Sequence, residues 1–313
     1  MKNMKRVFGA IIIVVILASI VAILNIGQKP KVKTTKITIV TTLFPLYDFA
    51  KMIGKDKVSV VLLVPPGVEP HAFEPRPSDI ATINRADLFI YTGKFMEPWA
   101  EDVAKSVVNK HIKIVDASKG IALIPSVFRN SGEPAGSLDP HIWLDFANDK
   151  IIIQTITTVL SQKDPANANY YLQNASQYQD LLSVLDTKYK STLSQCKSND
   201  VIYGGHYAFG YLANRYNLNY YAAQGISPDA EPSAKDLVQL VEQINSQNIQ
   251  YIFYEELTTS KIAETIANET KAKLLPLNAS HNLTKVDFDN NVSFMSIMEK
   301  NLVNLAIGLQ CSN

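Results

Sequence analysis

The chain has 313 residues, 47% of them hydrophobic, and its 30 basic and 29 acidic residues leave a formal net charge of +1 at pH 7. This length allows one large domain or two medium-sized domains. Because the charges nearly cancel and no basic stripe with interleaved aromatic residues is present, the sequence gives little support to nucleic-acid binding.

The first 36 residues are expected to lie outside the globular fold. Lys2, Lys5 and Arg6 precede a nearly unbroken apolar run over residues 7–26, and about 20 apolar residues are enough to cross a bilayer as a helix. A basic start followed by such a run is also typical of a secretory signal. We expect a retained N-terminal anchor on the outside face of the cytoplasmic membrane. A cleaved signal would instead leave a secreted or periplasmic protein.

The first half of the remaining chain alternates between strand-like and helical patterns. We predict strands over residues 37–42, 58–64, 88–91 and 112–115, and helices over residues 46–53 and 97–108. The run over residues 58–64 is apolar apart from Ser59, which is typical of a strand covered on both faces. Residues 117–140 are rich in Gly, Pro and Ser and are expected to form a loop.

Two helical patterns follow in the middle of the chain. The first covers residues 146–161, and Pro165 begins a longer one that reaches about Gln195. At 1.5 Å per residue, a helix of about 30 residues spans roughly 45 Å, which is more than one small domain needs. We therefore predict a rigid helix that joins two halves of the protein.

The second half repeats the alternation of strands and helices. We predict strands over residues 201–203, 219–223, 249–254 and 274–277, and helices starting at His206, ending near Gln247, and covering residues 260–271 and 292–309. Repeated βα units imply mostly parallel sheets with right-handed crossovers. The predicted fold class is therefore α/β.

Cys196 and Cys311 are the only cysteines of the chain. In an exported protein they could pair and tie the last helix to the second half, or they could remain two unpaired thiols. The sequence leaves both alternatives open.

Four of the five histidines, His71, His141, His206 and His281, are spaced 65 to 75 positions apart, and we place each beyond the carboxyl end of a predicted strand. Ligand sites of parallel sheets lie at that edge, and imidazole is the commonest protein ligand for metal ions. A single loop histidine is more often solvated, but four at equivalent positions favour one shared metal site. His111 precedes a strand and is expected to be a surface residue.

Three of these histidines lie in recognisable sequence motifs. Residues 67–79 (GVEPHAFEPRPSD), 138–145 (LDPHIWLD) and 204–211 (GGHYAFGY) contain them, and residues 223–233 read AQGISPDAEPS. These segments closely resemble motifs of the metal-binding family of solute-binding proteins that feed ABC importers for zinc and manganese. The resemblance covers about residues 38–310 and is nearest to the zinc-uptake type.

The resemblance implies two (β/α) lobes joined by a long backbone helix, with the metal held in the cleft between the lobes. The expected organisation is a segment 1–36, an N-terminal lobe 37–145, a helical region 146–199 and a C-terminal lobe 200–313. His71 and His141 would be ligands from the first lobe and His206 from the second. We expect His281 to be the fourth ligand, with Glu255 as the alternative.

The chemistry of this ligand set favours zinc as the transported ion. Four neutral imidazoles suit the tetrahedral nitrogen coordination that zinc prefers, whereas manganese prefers carboxylate and water oxygens. Nickel or copper would bind such a set at least as well in a test tube. Since imidazoles leave the charge of the ion uncompensated, nearby carboxylates should support the ligands. The candidates are Glu69, Asp139, Glu255 and Glu256.

The leading hypothesis is an extracytoplasmic zinc receptor, monomeric and not an enzyme, which delivers zinc to an ABC permease in the membrane. The first alternative is a receptor for manganese or another divalent metal. A zinc-dependent hydrolase is the second, but a catalytic zinc needs an open coordination position, and the H-E-x-x-H and G-x-S-x-G motifs do not occur. A surface adhesin is the third.

Overall fold

The structure is a computed structural model that describes residues 36–126, 137–228, 232–255 and 261–312. The predicted N-terminal anchor or signal lies outside the described residues, as does Glu256. Within the described ranges, no helix combines the length and apolar character needed to cross a membrane.

A four-stranded parallel sheet forms the centre of the N-terminal lobe. Its strands and helices are, in chain order, β1 (Ile37–Thr41), α1 (Phe44–Gly54), β2 (Val58–Leu62), α2 (Pro77–Arg85), β3 (Leu88–Tyr91), α3 (Pro98–Ser106) and β4 (Lys113–Asp116). The strand order is β2-β1-β3-β4, and all three pairings are parallel. The predicted α/β class is therefore confirmed for this lobe.

The position of β2 corrects one prediction from the sequence. The strand lies at the edge of the sheet, where Ser59 is exposed and Val61 is 36% exposed. The expectation that both faces of this strand are covered is therefore wrong. A mostly apolar run does not distinguish a central strand from an edge strand, because the run does not specify how many neighbours the strand has.

Two helices follow the N-terminal sheet, and the second is the long helix expected from the sequence. They are α4 (Phe146–Lys163) and α5 (Ala168–Leu193), separated by a 3₁₀ turn over Pro165–Asn167. The 26 residues of α5 correspond to about 39 Å of helix. Asn174 of α5 donates to Ile53 O of α1 at 2.9 Å. At its other end Tyr189 Oη donates to Met298 O at 2.6 Å, so α5 is hydrogen-bonded to segments of both lobes.

The C-terminal lobe repeats the architecture of the first. It contains β5 (Asp200–Tyr203), α6 (Gly210–Tyr216), β6 (Asn219–Ala222), α7 (Ala234–Gln247), β7 (Tyr251–Tyr254), α8 (Lys261–Thr270), β8 (Lys273–Pro276), α9 (Lys285–Asp289) and α10 (Phe294–Gly308). The strand order β6-β5-β7-β8 follows the same pattern as the N-terminal sheet, and all pairings are again parallel.

The loop after β5 differs from the prediction that a helix begins at His206. Helix α6 begins only at Gly210. The backbone before it bonds to the loop after β6 instead, since Tyr207 N donates to Gly225 O at 2.8 Å and Gln224 N donates to Gly205 O at 3.1 Å. His206 therefore lies in a loop that a neighbouring loop holds in place.

One hydrophobic core runs through both lobes and the long helix. It joins Phe49 of α1, Tyr171 and Tyr189 of α5, Phe253 of β7 and Leu305 of α10 with many other buried side chains. Two smaller clusters cover the other face of each sheet. Burial of this apolar surface is the main stabilising contribution to the fold.

Cys196 and Cys311 form a disulfide bond, which decides between the alternatives left open by the sequence. The bond joins the chain just after α5 to the end of the chain after α10. It therefore closes the C-terminal lobe into a covalent ring.

Candidate metal centre

His71 lies in the loop that follows β2, on a single 3₁₀ turn over Pro70–Ala72. Glu69 stabilises this turn, because its Oε1 accepts a hydrogen bond from His71 N at 3.1 Å. The other carboxylate oxygen of Glu69 lies 3.4 Å from His281 Nε2. The short turn therefore brings an imidazole and a carboxylate to the same place.

His141 is held by a carboxylate two residues earlier in the chain. Asp139 Oδ1 accepts from His141 N at 2.9 Å and lies 2.8 Å from His141 Nδ1. Both side chains are fully buried. Because Nδ1 is engaged by the carboxyl group, Nε2 is the nitrogen that faces the centre of the site.

His206 is held in the same manner by the carboxylate of a residue that follows a neighbouring strand. Its Nδ1 lies 2.8 Å from Oε2 of Glu255, the residue that directly follows β7. Both groups are buried. The C-terminal lobe therefore presents Nε2 of an oriented imidazole, as the N-terminal lobe does with His141.

His281 lies in the loop after β8 and is 1% exposed. Its Nε2 is 3.4 Å from Glu69 Oε2 and 3.4 Å from Glu255 Oε1. Among the described residues, these two contacts do not reach hydrogen-bond geometry, and Nδ1 has no hydrogen-bond partner either. A buried polar atom without a partner is costly, and a bound cation would satisfy one of these nitrogens.

The four loops bring their side chains together between the two lobes. His141 Nε2 is 3.3 Å from His71 Nε2 and 3.2 Å from His206 Nε2. The donor atoms of these three histidines lie within 4.8 Å of one another, as do those of a second group formed by His206, Glu255 and His281. His206 belongs to both groups, so the two groups adjoin at this residue.

The electrostatic environment favours the neutral form of two histidines of this cluster, His71 and His141. Burial, followed by the nearby His206 and His141, holds the pKa of His71 well below its ordinary value. Burial and the neighbouring His206 and His281 lower the pKa of His141 in the same way. Because a metal binds only the deprotonated imidazole, these two side chains are already in the binding form at neutral pH.

His281 differs from the other histidines because it faces two carboxylates. Burial alone would lower its pKa, but the charges of Glu69 and Glu255 outweigh that effect and raise it. Burial would likewise raise the pKa of Glu69 and of Glu255, yet the surrounding histidines lower both. These two carboxylates therefore supply the negative charge that the site presents to a cation.

The pKa of Asp139 is raised, unlike those of Glu69 and Glu255. Burial raises the pKa of its carboxyl group to about 8, against the lowering effect of the His141 amide. A nearby cation favours the charged form of a carboxyl group, so occupation of the site would strengthen the bond between Asp139 and His141.

The site is closed on most sides and opens at one edge. His141, His206 and His281 are at most 1% exposed, whereas His71 is partly exposed and the Glu69 side chain is 21% exposed. An ion approaching from solvent would therefore meet the His71 loop first.

Nearly all the residues expected from the sequence meet in this cluster. The four histidines, Glu255, Glu69 and Asp139 are all in contact with another member of the set. Glu256 falls outside the described residues. His111 is exposed and precedes β4, away from the site, as its position in the sequence indicates.

Two residues that support the site were not identified from the sequence. Trp143 Nε1 donates to Ala279 O, beside His281, at 2.7 Å. Asn282 donates to two carbonyl groups of the loop before His71. The only available indication was their proximity in sequence to a candidate ligand, since both contacts join distant parts of the chain.

Comparisons with known proteins agree with this description. The family model for the zinc-uptake complex component A, periplasmic (ZnuA), matches residues 39–308. The high-affinity zinc uptake system protein ZnuA of Bacillus subtilis is 38% identical over 277 residues, covering 86% of this chain and 86% of that protein. The zinc-binding lipoprotein AdcA of Streptococcus pneumoniae is 34% identical over 295 residues, covering 92% of this chain but only 59% of AdcA.

Solved structures show the same fold. The metal-dependent lipoprotein YcdH of Bacillus subtilis has a TM-score of 0.76 and 39% identity, covering 88% of this chain and 99% of that one. The Zn(II)-bound ZnuA-like domain of Streptococcus pneumoniae AdcA has a TM-score of 0.76 and 35% identity, with coverages of 88% and 99%.

Two parallel-sheet lobes joined by a long helix, with a histidine cluster between them, define a two-lobed solute-binding protein. The chain belongs to the ZnuA family, the periplasmic component A of zinc-uptake complexes. The resemblance inferred from the histidine motifs is thereby confirmed. Its homologues are binding components of uptake systems and not enzymes, in agreement with the prediction from the sequence.

Proposed function

We propose that this protein is an extracytoplasmic receptor that binds one Zn²⁺ ion between its lobes and delivers it to the permease of an ABC importer. The proposed ligands are His71, His141, His206 and His281. The observation that carries the proposal is the approach of three Nε2 atoms from both lobes to within 3.3 Å of their nearest neighbour. Neutral imidazoles gathered this closely direct their Nε2 lone pairs at one place, and a shared cation would accept them.

Zinc fits the donor set better than manganese does. Neutral imidazoles suit zinc, whereas manganese prefers oxygen ligands and would bind weakly to a set of mostly nitrogen ligands. The relatives described as zinc-binding or Zn(II)-bound support the same assignment. Nickel and copper remain chemical competitors in vitro, so availability decides which ion is bound.

Glu255 is the alternative fourth ligand. Its Oε1 is close to His281 Nε2, while its Oε2 is engaged with His206. We favour His281 because its buried Nδ1 has no hydrogen-bond partner in the described part of the chain, and its Nε2 has only the longer contacts with Glu69 and Glu255. Glu255 and Asp139 then orient His206 and His141, and Glu69 contributes negative charge near the opening. Glu256 stays a candidate of the same kind.

Location and partners follow from membership of an uptake system. The family description is of a periplasmic component, which supports a position outside the cytoplasm, and an uptake component needs a membrane permease to receive its cargo. N-terminal anchoring, as opposed to cleavage, stays a prediction from residues 1–36, and so does the monomeric state. The hydrolase alternative has no support from the relatives, and the adhesin alternative stays a hypothesis.

The test is a competition titration of the metal-free protein with Zn²⁺ and a chelator. We expect one equivalent of tightly bound zinc. His141→Ala should lower the affinity by more than the 10–100-fold typical of a supporting residue, whereas His111→Ala should leave it unchanged. A wild-type protein that binds no zinc at one equivalent, or an unaltered His141→Ala variant, would contradict the proposal. Delivery is tested separately, by zinc accumulation in the host with and without this protein.

A further inference from the structure

The loop that carries His281 belongs to the C-terminal lobe by sequence but is held by the N-terminal lobe. Leu277 N still donates to Tyr254 O, in the C-terminal sheet. From Ala279 onward the partners change, since Ala279 O accepts from Trp143 and His281 O accepts from Phe44 N at 3.3 Å. The hydrogen-bond partners of the loop therefore change from the C-terminal lobe to the N-terminal lobe within the two residues before Ser280.

Backbone geometry agrees with a sharp change of direction at this point. Ser280 has a positive φ of 60°, in the left-handed region that residues other than glycine seldom adopt. Asn278 Oδ1 accepts from Ser280 N at 2.7 Å, which stabilises the turn. The loop is thus directed across the cleft and not back onto its own sheet.

Asn282 makes the strongest connection between this loop and the N-terminal lobe. Its Nδ2 donates to Pro65 O at 2.8 Å and to Val68 O at 2.7 Å. These two carbonyl groups lie at either end of the turn that leads to His71, and Gly67 N of the same turn donates to Leu283 O at 2.7 Å. Asn282 is fully buried, so both of its N–H groups are used in this contact.

We propose that Asn282 is a positioning residue for metal binding, which joins the loops of His71 and His281 into one rigid unit. The proposal rests on the proposed function and adds to it a residue that does not touch the ion. Three of the four proposed ligands then belong to a single assembly on the N-terminal lobe, and His206 alone comes from the opposite side.

Asn301 of α10 provides a matched control, because it contacts the same loop from the C-terminal lobe. It is 2% exposed and also makes two backbone contacts, donating to Asn278 O at 2.7 Å and accepting from Asn278 N at 2.9 Å. Both partners lie in the C-terminal lobe. Asn301→Ala therefore removes two buried hydrogen bonds to the backbone within the C-terminal lobe, and Asn282→Ala removes two that cross the cleft. Only Asn282→Ala breaks the contact between the His71 loop and the His281 loop.

Hydrogen exchange of the metal-free protein tests the connection without any use of zinc. Asn282→Ala, and Asn282→Asp, which keeps the shape but loses both N–H donors, should accelerate exchange in residues 65–71 and 279–284. Asn301→Ala should leave exchange in residues 65–71 unchanged. Unaltered exchange in residues 65–71 of both Asn282 variants would overturn the proposal, whether or not the protein binds zinc.

The consequence for the site is measured by zinc release and by the visible absorption of the Co²⁺-substituted protein. The Asn282 variants should release zinc about 10–100-fold faster and show an altered Co²⁺ spectrum, since His71 and His281 lose their common position. Asn301→Ala should retain the wild-type rate and spectrum. Equal effects of Asn282→Ala and Asn301→Ala would reduce Asn282 to a purely structural role. A wild-type protein that binds no zinc would refute the proposed function while leaving the exchange result decisive for the connection.

Discussion

His206 Nε2 lies 3.2 Å from His141 Nε2, although the two residues belong to different lobes and are 65 positions apart. Each ring is held through Nδ1 by a buried carboxyl group, Glu255 for His206 and Asp139 for His141. Such carboxylate–histidine pairs fix the orientation of metal ligands. The cleft is therefore built so that one oriented imidazole from each lobe meets the other.

Removal of His206 should leave a site with ligands from the N-terminal side only. We expect the zinc affinity of His206→Ala to be more than about 100-fold below that of the wild type. This loss exceeds the 10–100-fold typical of a supporting carboxylate. The Co²⁺-substituted variant should show the spectrum of a site in which water replaces one imidazole. Chelator competition and absorption spectroscopy measure these two effects. A His206→Ala affinity equal to wild type would remove this residue from the ligand set.

The fourth ligand is identified by comparing His281→Ala with Glu255→Gln. If His281 binds the ion, His281→Ala should lower the zinc affinity by more than Glu255→Gln does. It should also change the absorption spectrum of the Co²⁺-substituted protein. Glu255→Gln should lower the affinity by about 10–100-fold, because the residue orients His206.

The reverse ranking would make Glu255 the ligand. An affinity and stoichiometry unchanged in His281→Ala would exclude His281. Unfolding curves of the two metal-free variants serve as the control, because a variant that is not folded cannot report on coordination.

Asp48 predicts a pH dependence of stability that is separate from the metal site. Burial raises the pKa of this carboxyl group from 3.8 to about 6, although hydrogen bonds from Tyr178 and Phe294 and the charge of Lys51 lower it. Below the unfolded value both states are protonated and the group has no effect. As the pH rises toward 6, Asp48 ionises first in the unfolded state, so the free energy of unfolding decreases. Above pH 6 this decrease is complete and amounts to roughly 2–3 kcal/mol.

Asp48→Asn should remove this cost while keeping an oxygen that accepts from Tyr178 Oη and Phe294 N. Relative to wild type, the variant should gain about 2 kcal/mol between pH 4 and pH 7.5, measured by urea unfolding of the metal-free protein. Asp180→Asn, at an exposed position of α5, is the matched control and should show no such gain. An equal difference between Asp48→Asn and wild type at both pH values would contradict the argument.

The disulfide joins Cys196 to Cys311, which are 115 positions apart in the sequence. Limiting the unfolded chain in this way contributes typically about 2–4 kcal/mol. The double variant Cys196→Ser, Cys311→Ser should lose stability of this order in urea unfolding, and so should the wild type after reduction. Zinc affinity of the folded variant should stay unchanged, because neither cysteine contacts the histidine cluster. Unchanged stability would show that the closed ring adds nothing to the fold.

The convergence of the histidines could be predicted because it depends on a general property of parallel sheets. Strands that run in one direction end at the same edge, so residues placed just after β2, β5 and β8 are brought to the same side of their sheets. The motif around His141 supplied the remaining member. The order of strands and loops, which hydrophobic patterns reveal, is enough to place these residues at the edge of their own sheet. That the two sheets meet at one cleft was implied by the family resemblance.

The features that could not be predicted depend on contacts between distant residues. The contacts of Asn282 with Pro65 and Val68 join positions 217 and 214 residues apart, and no local pattern indicates them. The same limit applies to Val61, whose exposure depends on which strand lies beside β2. It also applies to His206, which a loop from β6 holds outside the following helix.

The continuous core places a restriction on how this protein can be divided. Tyr171 and Tyr189 of α5 are buried in the same apolar cluster as Phe49 from the first lobe and Phe253 from the second. A cut between α5 and β5 would expose to solvent, in each fragment, the hydrophobic residues that the other fragment buries. Gene fragments encoding the two halves would thus yield insoluble products when expressed alone, and a working protein would require their reassociation.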